Sequence, residues 1–411
     1  MAEGEPVLRI AARGDGVTAS GHFVAGAAPG DMLLADGTLV WGPHHVSPRC
    51  RHFGACGGCQ LQQLDEEALA RFVGDRVVHA ALGQGLEAER IGAPHLSPAA
   101  SRRRATLHAE RRGGAIVLGY REAGSHRLVD LRECPVLLPE LAALLARLRG
   151  LLAALVASPG KGRGRNPARL SIAIDVAIAD QGCVLGLKGL AADGLAAREA
   201  LLAFARSQKL ARLSLDDGYG PEPLWEPEPA TVTLSGVAVP LPAGAFLQPT
   251  ADGEAALVGA ACEWLAGAAR VADLFAGLGT FAFALAAQGS RVLAVEAERS
   301  LHLACRDAAA RARRPVTALH RDLFRGPLLA DELAGCEGVL LDPPRAGARE
   351  QVARLAGSGV PRIVYVSCNP GSWARDAAIL VAGGYRLAEL RPVGQFRWST
   401  HVELASLFVR P

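Results

Sequence analysis

The sequence predicts an α/β protein, with a parallel sheet flanked by helices in its carboxyl-terminal part, an α+β middle segment and a small all-β module at the start. Two observations carry this reading. After Ala243 the short apolar runs "RVADLFA", "RVLAVEA", "GVLLDPP" and "RIVYVSC" alternate with Ala-rich stretches of helical composition. That is the pattern of consecutive βαβ units, whose ligands bind beyond the carboxyl ends of the strands. Before Pro48, brief apolar stretches are instead broken by Gly-rich turns such as "ARGDGVTASG" and "GAAPGD", the texture of tight hairpins.

Residues 1–48 form the expected β module, 49–242 the α+β middle domain and 243–411 the parallel-sheet domain. In the middle, "RATLHAERRGGAIVLGY", "ARLSIAIDVAIA" and "CVLGLKGL" read as strands. In "LAALLARLRGLLAALVA" the residues Leu141, Leu144, Leu145, Leu148, Leu152 and Leu155 recur at helical spacing, and Arg147 and Arg149 exclude a membrane span. "PGKGRGRNPAR" reads as an exposed basic loop and "DGYGPEPLWEPEP" as a Pro-rich joint before the last domain. "RLAELRPV" and "HVELASLFV" are expected to pair as an antiparallel hairpin on the edge of the parallel sheet.

With 411 residues, half of them hydrophobic, the chain can bury two or three cores. A net charge of +3 does not by itself announce nucleic acid. The start "MAEGEPVLRI" has no basic head followed by an apolar run, so the expectation is a cytoplasmic protein with no membrane partner. In that compartment nine cysteines do not suggest a disulfide framework, and clustered ones point to metal or catalysis. Cys50, Cys56 and Cys59 crowd "CRHFGACGGC", and Cys134 in "LRECPVL" is a fourth candidate. Four thiolates suit zinc or an iron–sulfur cluster equally well on ligand type. Cys183, Cys262, Cys305 and Cys336 sit singly and read as small hydrophobes.

"VADLFAGLGTF" places Asp273 at a strand end and Gly277 and Gly279 in a turn before a helix starting near Thr280. Glu296 ends the next strand, where a carboxylate accepts hydrogen bonds from a ribose diol or caps the following helix. The turn lacks both the Lys-Ser/Thr of a phosphate loop and the three-Gly pyrophosphate fingerprint. A nucleoside ligand without phosphate fits better. In "RIVYVSCNPGSW", Cys368 stands at a strand's carboxyl end in a Pro/Gly turn, the setting of a nucleophile. In "LLDPPRAGA", two prolines fix a rigid turn after Asp342.

"DLFAGLGTF", "DPPRAG" and "SCNP", in that order, resemble the RNA uracil-5-methyltransferase family, and the resemblance runs from about Val7 to Leu407. It implies a Rossmann-like, S-adenosylmethionine-dependent methyltransferase domain behind a shortened TRAM-like β module. By the family's pattern Gln248, Phe275, Glu296 and Asp342 hold the cofactor. Thr280, where the family usually has Asn, and Asp322 match further contacts. Cys368 is the implied nucleophile toward carbon 6 of uracil, and Glu403 in "STHVEL" the implied base that removes the proton on carbon 5, with His401 beside it. One branch of the family carries C-x5-C-G-G-C plus a distant cysteine around a 4Fe-4S cluster, which Cys50, Cys56, Cys59 and Cys134 match. The implied substrate is RNA, 23S rRNA first and transfer RNA as the alternative, acted on by a monomer.

Basic groups expected to meet phosphates are Arg102, Arg103 and Arg104, then Arg111 and Arg112, then Lys161, Arg163 and Arg165. Ser101 stands where the family often has an aromatic. Phe53 and Trp398 are read as packing residues before stacking ones. Methylation of an exocyclic base nitrogen would leave Cys368 without work and puts Arg345 where an aromatic belongs. A non-catalytic RNA-binding or redox-responsive protein would need neither Cys368 nor Glu403.

Overall fold

The computed structural model describes residues 4–157, 171–190, 192 and 194–410. Lys161, Arg163 and Arg165 lie outside them. The amino-terminal module is a five-stranded antiparallel sheet built around Gly4–Ile10, with Gly16–Thr18 and Phe23–Val24 on one side and Met32–Leu34 and Leu39–Val40 on the other. Buried Asp31 ties its loops, accepting from the Ala28 amide and the Gly42 amide at 2.7 Å each and meeting His45 Nδ1 at 2.7 Å.

A six-stranded middle sheet follows, ordered Glu222–Trp225, Arg212–Asp216, Gly182–Lys188, Ser171–Ala179, Arg104–Arg112, Ala115–Gly119. The leucine periodicity seats the helix Pro139–Ala157 on this sheet, where Leu141, Leu144, Leu148 and Leu152 pack with Leu107, Ile172, Ile174 and Leu185. The Pro-rich stretch is not merely a joint. Glu222–Trp225 pairs antiparallel with Arg212–Asp216, because an edge strand tolerates proline on its unpaired side.

The largest sheet runs Val316–His320, Arg291–Glu296, Arg270–Leu274, Gly338–Leu341, Arg362–Ser367, Glu403–Val409, Arg386–Gly394, Arg90–Ile91, with His95–Leu96 also on Arg386–Gly394. The first five strands are parallel and Rossmann-like. The order reverses at Arg270–Leu274, so a crevice opens beyond its carboxyl end. The expected closing hairpin is present, but Glu403–Val409 is interior, between Arg362–Ser367 and Arg386–Gly394. The edge beyond it is covered by Arg90–Ile91 and His95–Leu96, which come from far earlier in the chain. A hairpin of Thr231–Leu234 and Val237–Pro240 precedes the sheet.

The helix Glu66–Leu82 explains how this early segment is held. Asp65 caps it by accepting from the Ala68 amide at 2.8 Å. Its face of Leu69, Phe72, Val73 and Val77 shares one core with Trp373, Leu380 and Leu387 of the large sheet's layer. Among the described residues no helix is long and apolar enough to cross a membrane. Leu69→Ala should cost about 3 kcal/mol. Amide exchange in Arg386–Gly394 should speed up with it, whereas an independent helix would leave that strand unchanged.

Candidate active site

Phe275, Glu296, Asp342 and Cys368 stand at or just past the carboxyl ends of parallel strands, and Glu403 begins the antiparallel strand beside them. The turn after Arg270–Leu274 holds Phe275 and Gly277 at φ +65° and +56°, and Gly279 at +91° starts the helix Thr280–Ala287. A methyl group at Gly279 would lie 2.8 Å from the Phe283 ring and 2.9 Å from Cys305 Sγ, so no side chain fits there. Glu296 fastens this turn, since its carboxylate accepts from the Gly277 amide at 2.9 Å and the Glu298 amide at 2.6 Å. It does not cap the next helix. Glu298 does, accepting from the Ser300 and Leu301 amides.

Beneath the turn Asp273 is fully buried, and neither carboxylate oxygen has a partner. Burial, then Asp342 and Glu296, hold its carboxyl well above the usual range. Phe275 faces Phe324 with ring centres 5.5 Å apart, and Phe324 remains half exposed. Asp322 sits in the same loop and accepts from the Phe324 amide at 2.9 Å.

Across the crevice, Cys368 lies between the strand Arg362–Ser367 and the helix Pro370–Ala382, half-buried. Asn369 caps the helix and also donates to the Arg345 carbonyl at 2.9 Å, while Ser372 Oγ donates to that carbonyl at 3.0 Å. These bonds lock the Asp342–Arg345 turn onto the cysteine turn. Arg345 itself is exposed, and its guanidinium reaches His401 Nδ1 at 3.4 Å.

Glu403, the first residue of its strand, is buried and accepts from Gln395 Nε2. The same amide nitrogen donates to Gln248 Oε1 at 2.8 Å, and Gln248 Nε2 reaches Asp342 Oδ2 at 3.5 Å. Gln395 was not legible as a site residue: a lone Gln after an apolar run carries no motif. Phe246 was missed for the same reason. It is half exposed two residues before Gln248, under the Arg104 guanidinium at 4.9 Å.

Three ionisable groups are shifted here. Burial pushes Asp342 up to about 7. Burial and then Asp342 push Glu403 up to about 8, against the Gln395 hydrogen bond. Burial, then Glu403 and Asp342, push the Cys368 thiol up to about 11, opposed by Arg345. Burial and the neighbouring acids therefore favour the thiol form of Cys368 and the protonated form of Glu403, and positive charge placed beside them favours the ionised forms.

The cysteines meet at a second place. Cys50, Cys56, Cys59 and Cys134 line one cavity together with Phe53, Tyr120, Leu131, Glu133 and Arg102. Burial pushes Cys59 up to about 12, and Cys56 and Cys134 upward as well. Backbone bonds stitch the loop to its surroundings: the Gly57 amide donates to the Arg121 carbonyl, and the Gln60 and Leu61 amides to the Trp398 carbonyl, at 2.8–2.9 Å. Trp398 is buried and packs, and Phe53 lines the cavity. Among the described residues no group of three or more His, Cys, Asp or Glu is arranged to hold a metal ion. Arg103 is committed to Glu254 at 2.6 Å and Arg112 to Glu110, so neither is a free phosphate contact.

A family model described as tRNA (Uracil-5-)-methyltransferase matches residues 237–410. An RNA methyltransferase of Zymomonas mobilis, of uncharacterised specificity, is 47% identical over 98% of this chain and 99% of its own length. The 23S rRNA (uracil(1939)-C(5))-methyltransferase RlmD of Edwardsiella ictaluri is 35% identical over 89% of this chain and 82% of its own. The chain belongs to the RNA uracil-5-methyltransferase family. The fold agrees: the Pyrococcus abyssi tRNA (uracil-54, C5)-methyltransferase, solved with S-adenosyl-L-homocysteine, superposes over 99% of both chains with a TM-score of 0.76 at 23% identity. The Rossmann-like sheet is thus the methyltransferase domain of an RNA methyltransferase.

For this uracil-5-methyltransferase family member the raised carboxyls have a stability consequence. The folded chain keeps protons that the unfolded chain releases, so the stability owed to Glu403 is complete below about 4.5 and is lost as pH rises through about 8. Glu403→Gln should therefore melt a few degrees above the parent at pH 8.5 and converge with it below pH 4, read from thermal melts across pH.

Proposed function

We propose that this enzyme methylates carbon 5 of a uridine in 23S rRNA, using S-adenosylmethionine and a covalent adduct on Cys368. The observation that carries this reading is the convergence of Cys368, Asp342 and Glu403, with both acids near enough to raise Cys368 and Asp342 near enough to raise Glu403, across the crevice from the glycine turn. The residues around that turn fit the cofactor. Buried Asp273 lacks a donor, Glu296 closes on the turn, and the Phe275 and Phe324 rings, tilted against each other, offer an aromatic surface for a purine. Gln248, Thr280 and Asp322 complete the wall.

S-adenosylmethionine supplies an electrophilic methyl and a sulfonium charge. That charge, set among acids, favours ionised Cys368 and Glu403. Cys368 Sγ then adds to carbon 6, and the electron pair of the 5,6 double bond moves into an enolate. Carbon 5, made nucleophilic by that enolate, would take the methyl group as the methyl–sulfur bond breaks, with S-adenosylhomocysteine leaving with the electron pair. Glu403 removes the proton left on carbon 5, and the returning electron pair restores the double bond and expels the Cys368 thiolate. Gln395 and Gln248 keep Glu403 and Asp342 apart and aimed at one ring. The target base must leave its stack to reach this crevice; Phe246, half exposed under the part-buried Arg104 guanidinium, lies two residues before Gln248.

The cysteine quartet supports a 4Fe-4S cluster over zinc. Zinc needs its ligands to converge on a single point. A cubane takes each thiolate at a different iron, so the sulfurs need only surround a shared cavity, as Cys50, Cys56, Cys59 and Cys134 do. Burial pushes the Cys56, Cys59 and Cys134 thiols up, and cationic iron would offset that cost. The cluster's work is bracing: it joins residues 50–59 to Cys134, and the loop's end carries the Trp398 segment that leads into Glu403.

The substrate reading rests on the RlmD relative; the family model and the archaeal neighbour keep transfer RNA as the alternative. Mass-spectrometric mapping of both RNAs with and without the protein decides it, and a lost 5-methyluridine in transfer RNA alone would refute the ribosomal assignment. Cys368→Ala should abolish methylation with cofactor affinity retained. Glu403→Gln should slow turnover ~10²–10⁴-fold and trap an RNA–protein adduct that survives a denaturing gel. Cys134→Ser should bind neither iron nor sulfide after anaerobic reconstitution, measured by metal and sulfide assay.

A further inference from the structure

Tyr120 follows the strand Ala115–Gly119 and forms a wall of the cavity that holds the four cysteines. Its ring lies close to the cysteine loop, since a methyl group at Gly58 would sit 3.5 Å from both Cys56 Sγ and the Tyr120 ring. Its hydroxyl is buried and has no hydrogen-bond partner. A phenol O–H in that position costs about 1–3 kcal/mol if left unsatisfied, and phenylalanine would fill the same space without that cost. The polar neighbours do not supply an acceptor. Arg102 is a donor only, and neither Gln62, which accepts from the Cys50 amide, nor Glu133, which faces Arg51, bonds the Tyr120 hydroxyl.

We propose that Tyr120 donates its hydroxyl hydrogen to a sulfur of the 4Fe-4S cluster and thereby raises the cluster's reduction potential. The inference rests on the cluster reading above. A hydrogen bond to sulfur withdraws electron density and favours the more reduced, more negative state, one of the levers a protein has on such centres. Tyr120 is a positioning residue for the cluster and does not touch the reacting uracil. Arg102, on the same cavity wall with its guanidinium 5.5 Å from the Phe396 ring centre, adds positive charge in the same sense.

The test compares the parent with Tyr120→Phe, each reconstituted anaerobically with ferrous iron and sulfide, by redox titration followed by electron paramagnetic resonance and by thermal melts with and without cluster. The variant's midpoint should move to more negative potential. Its loaded form should melt below the loaded parent, while the metal-free forms melt together or with the variant higher, since the orphan hydroxyl is gone. Loaded variant and parent with equal midpoints and equal melts would overturn this role alone. A parent chain that takes up no iron and sulfide would overturn the cluster reading and this inference with it.

Discussion

A single buried amide, Gln395, holds the acidic end of the crevice together. Its nitrogen serves Glu403 and Gln248 at once, and Gln248 reaches on to Asp342. Without such donors, Glu403 and Asp342, when ionised, would repel each other across a space from which water is largely excluded. The rest of the site follows from that bond. Cys368 is pushed up by the same two acids, so the state of the nucleophile is set by groups that arrive from residues far apart in sequence. The amide itself is fixed from behind, where a methyl at Gly253 would come within 2.7 Å of its side chain.

How far the sequence carried this picture depended on whether a feature was local. The buried strands of the parallel sheet showed as apolar runs, the glycine turn as two glycines before a helix, and Cys368 as a strand-end thiol, because each is written within about ten residues. The three close cysteines were legible as a cluster from their spacing, while Cys134, 75 residues further on, was legible only through the family's pattern, and the fold brings it to the same cavity. Arg90–Ile91 and His95–Leu96 were not legible at all: two-residue strands have no period, and their pairing with Arg386–Gly394 is entirely long-range. Val316–His320, with Thr317 and His320 exposed and the rest half-buried, offered too weak an apolar run. Proline hid Glu222–Trp225 for a different reason, since edge pairing overrode a composition that reads as a linker.

The basic stretch at 102–104 shows how one charge run divides its labour. Arg103 turns inward, donating to the Gln248 carbonyl and pairing with Glu254. It supports the very segment that presents Gln248. Arg104 instead lies over Phe246 at the rim, and Arg102 borders both the cysteine cavity and the cleft of Thr250, Gln395 and Phe396. A count of arginines in sequence would have credited all three to RNA, yet only their placement separates scaffold from surface.

The strand partners that seal the far edge of the large sheet are 299 residues apart at the Arg90–Glu389 ion pair. During synthesis the helix Glu66–Leu82 and the short strands behind it leave the ribosome long before their partner exists. At ~5–20 residues per second, roughly 15–60 s pass before Arg386–Gly394 can receive them. Through that interval Leu69, Phe72, Val73 and Val77 form an uncovered apolar face on the nascent chain. The last step of assembly is therefore a long-range docking, made only after nearly the whole chain has been synthesised.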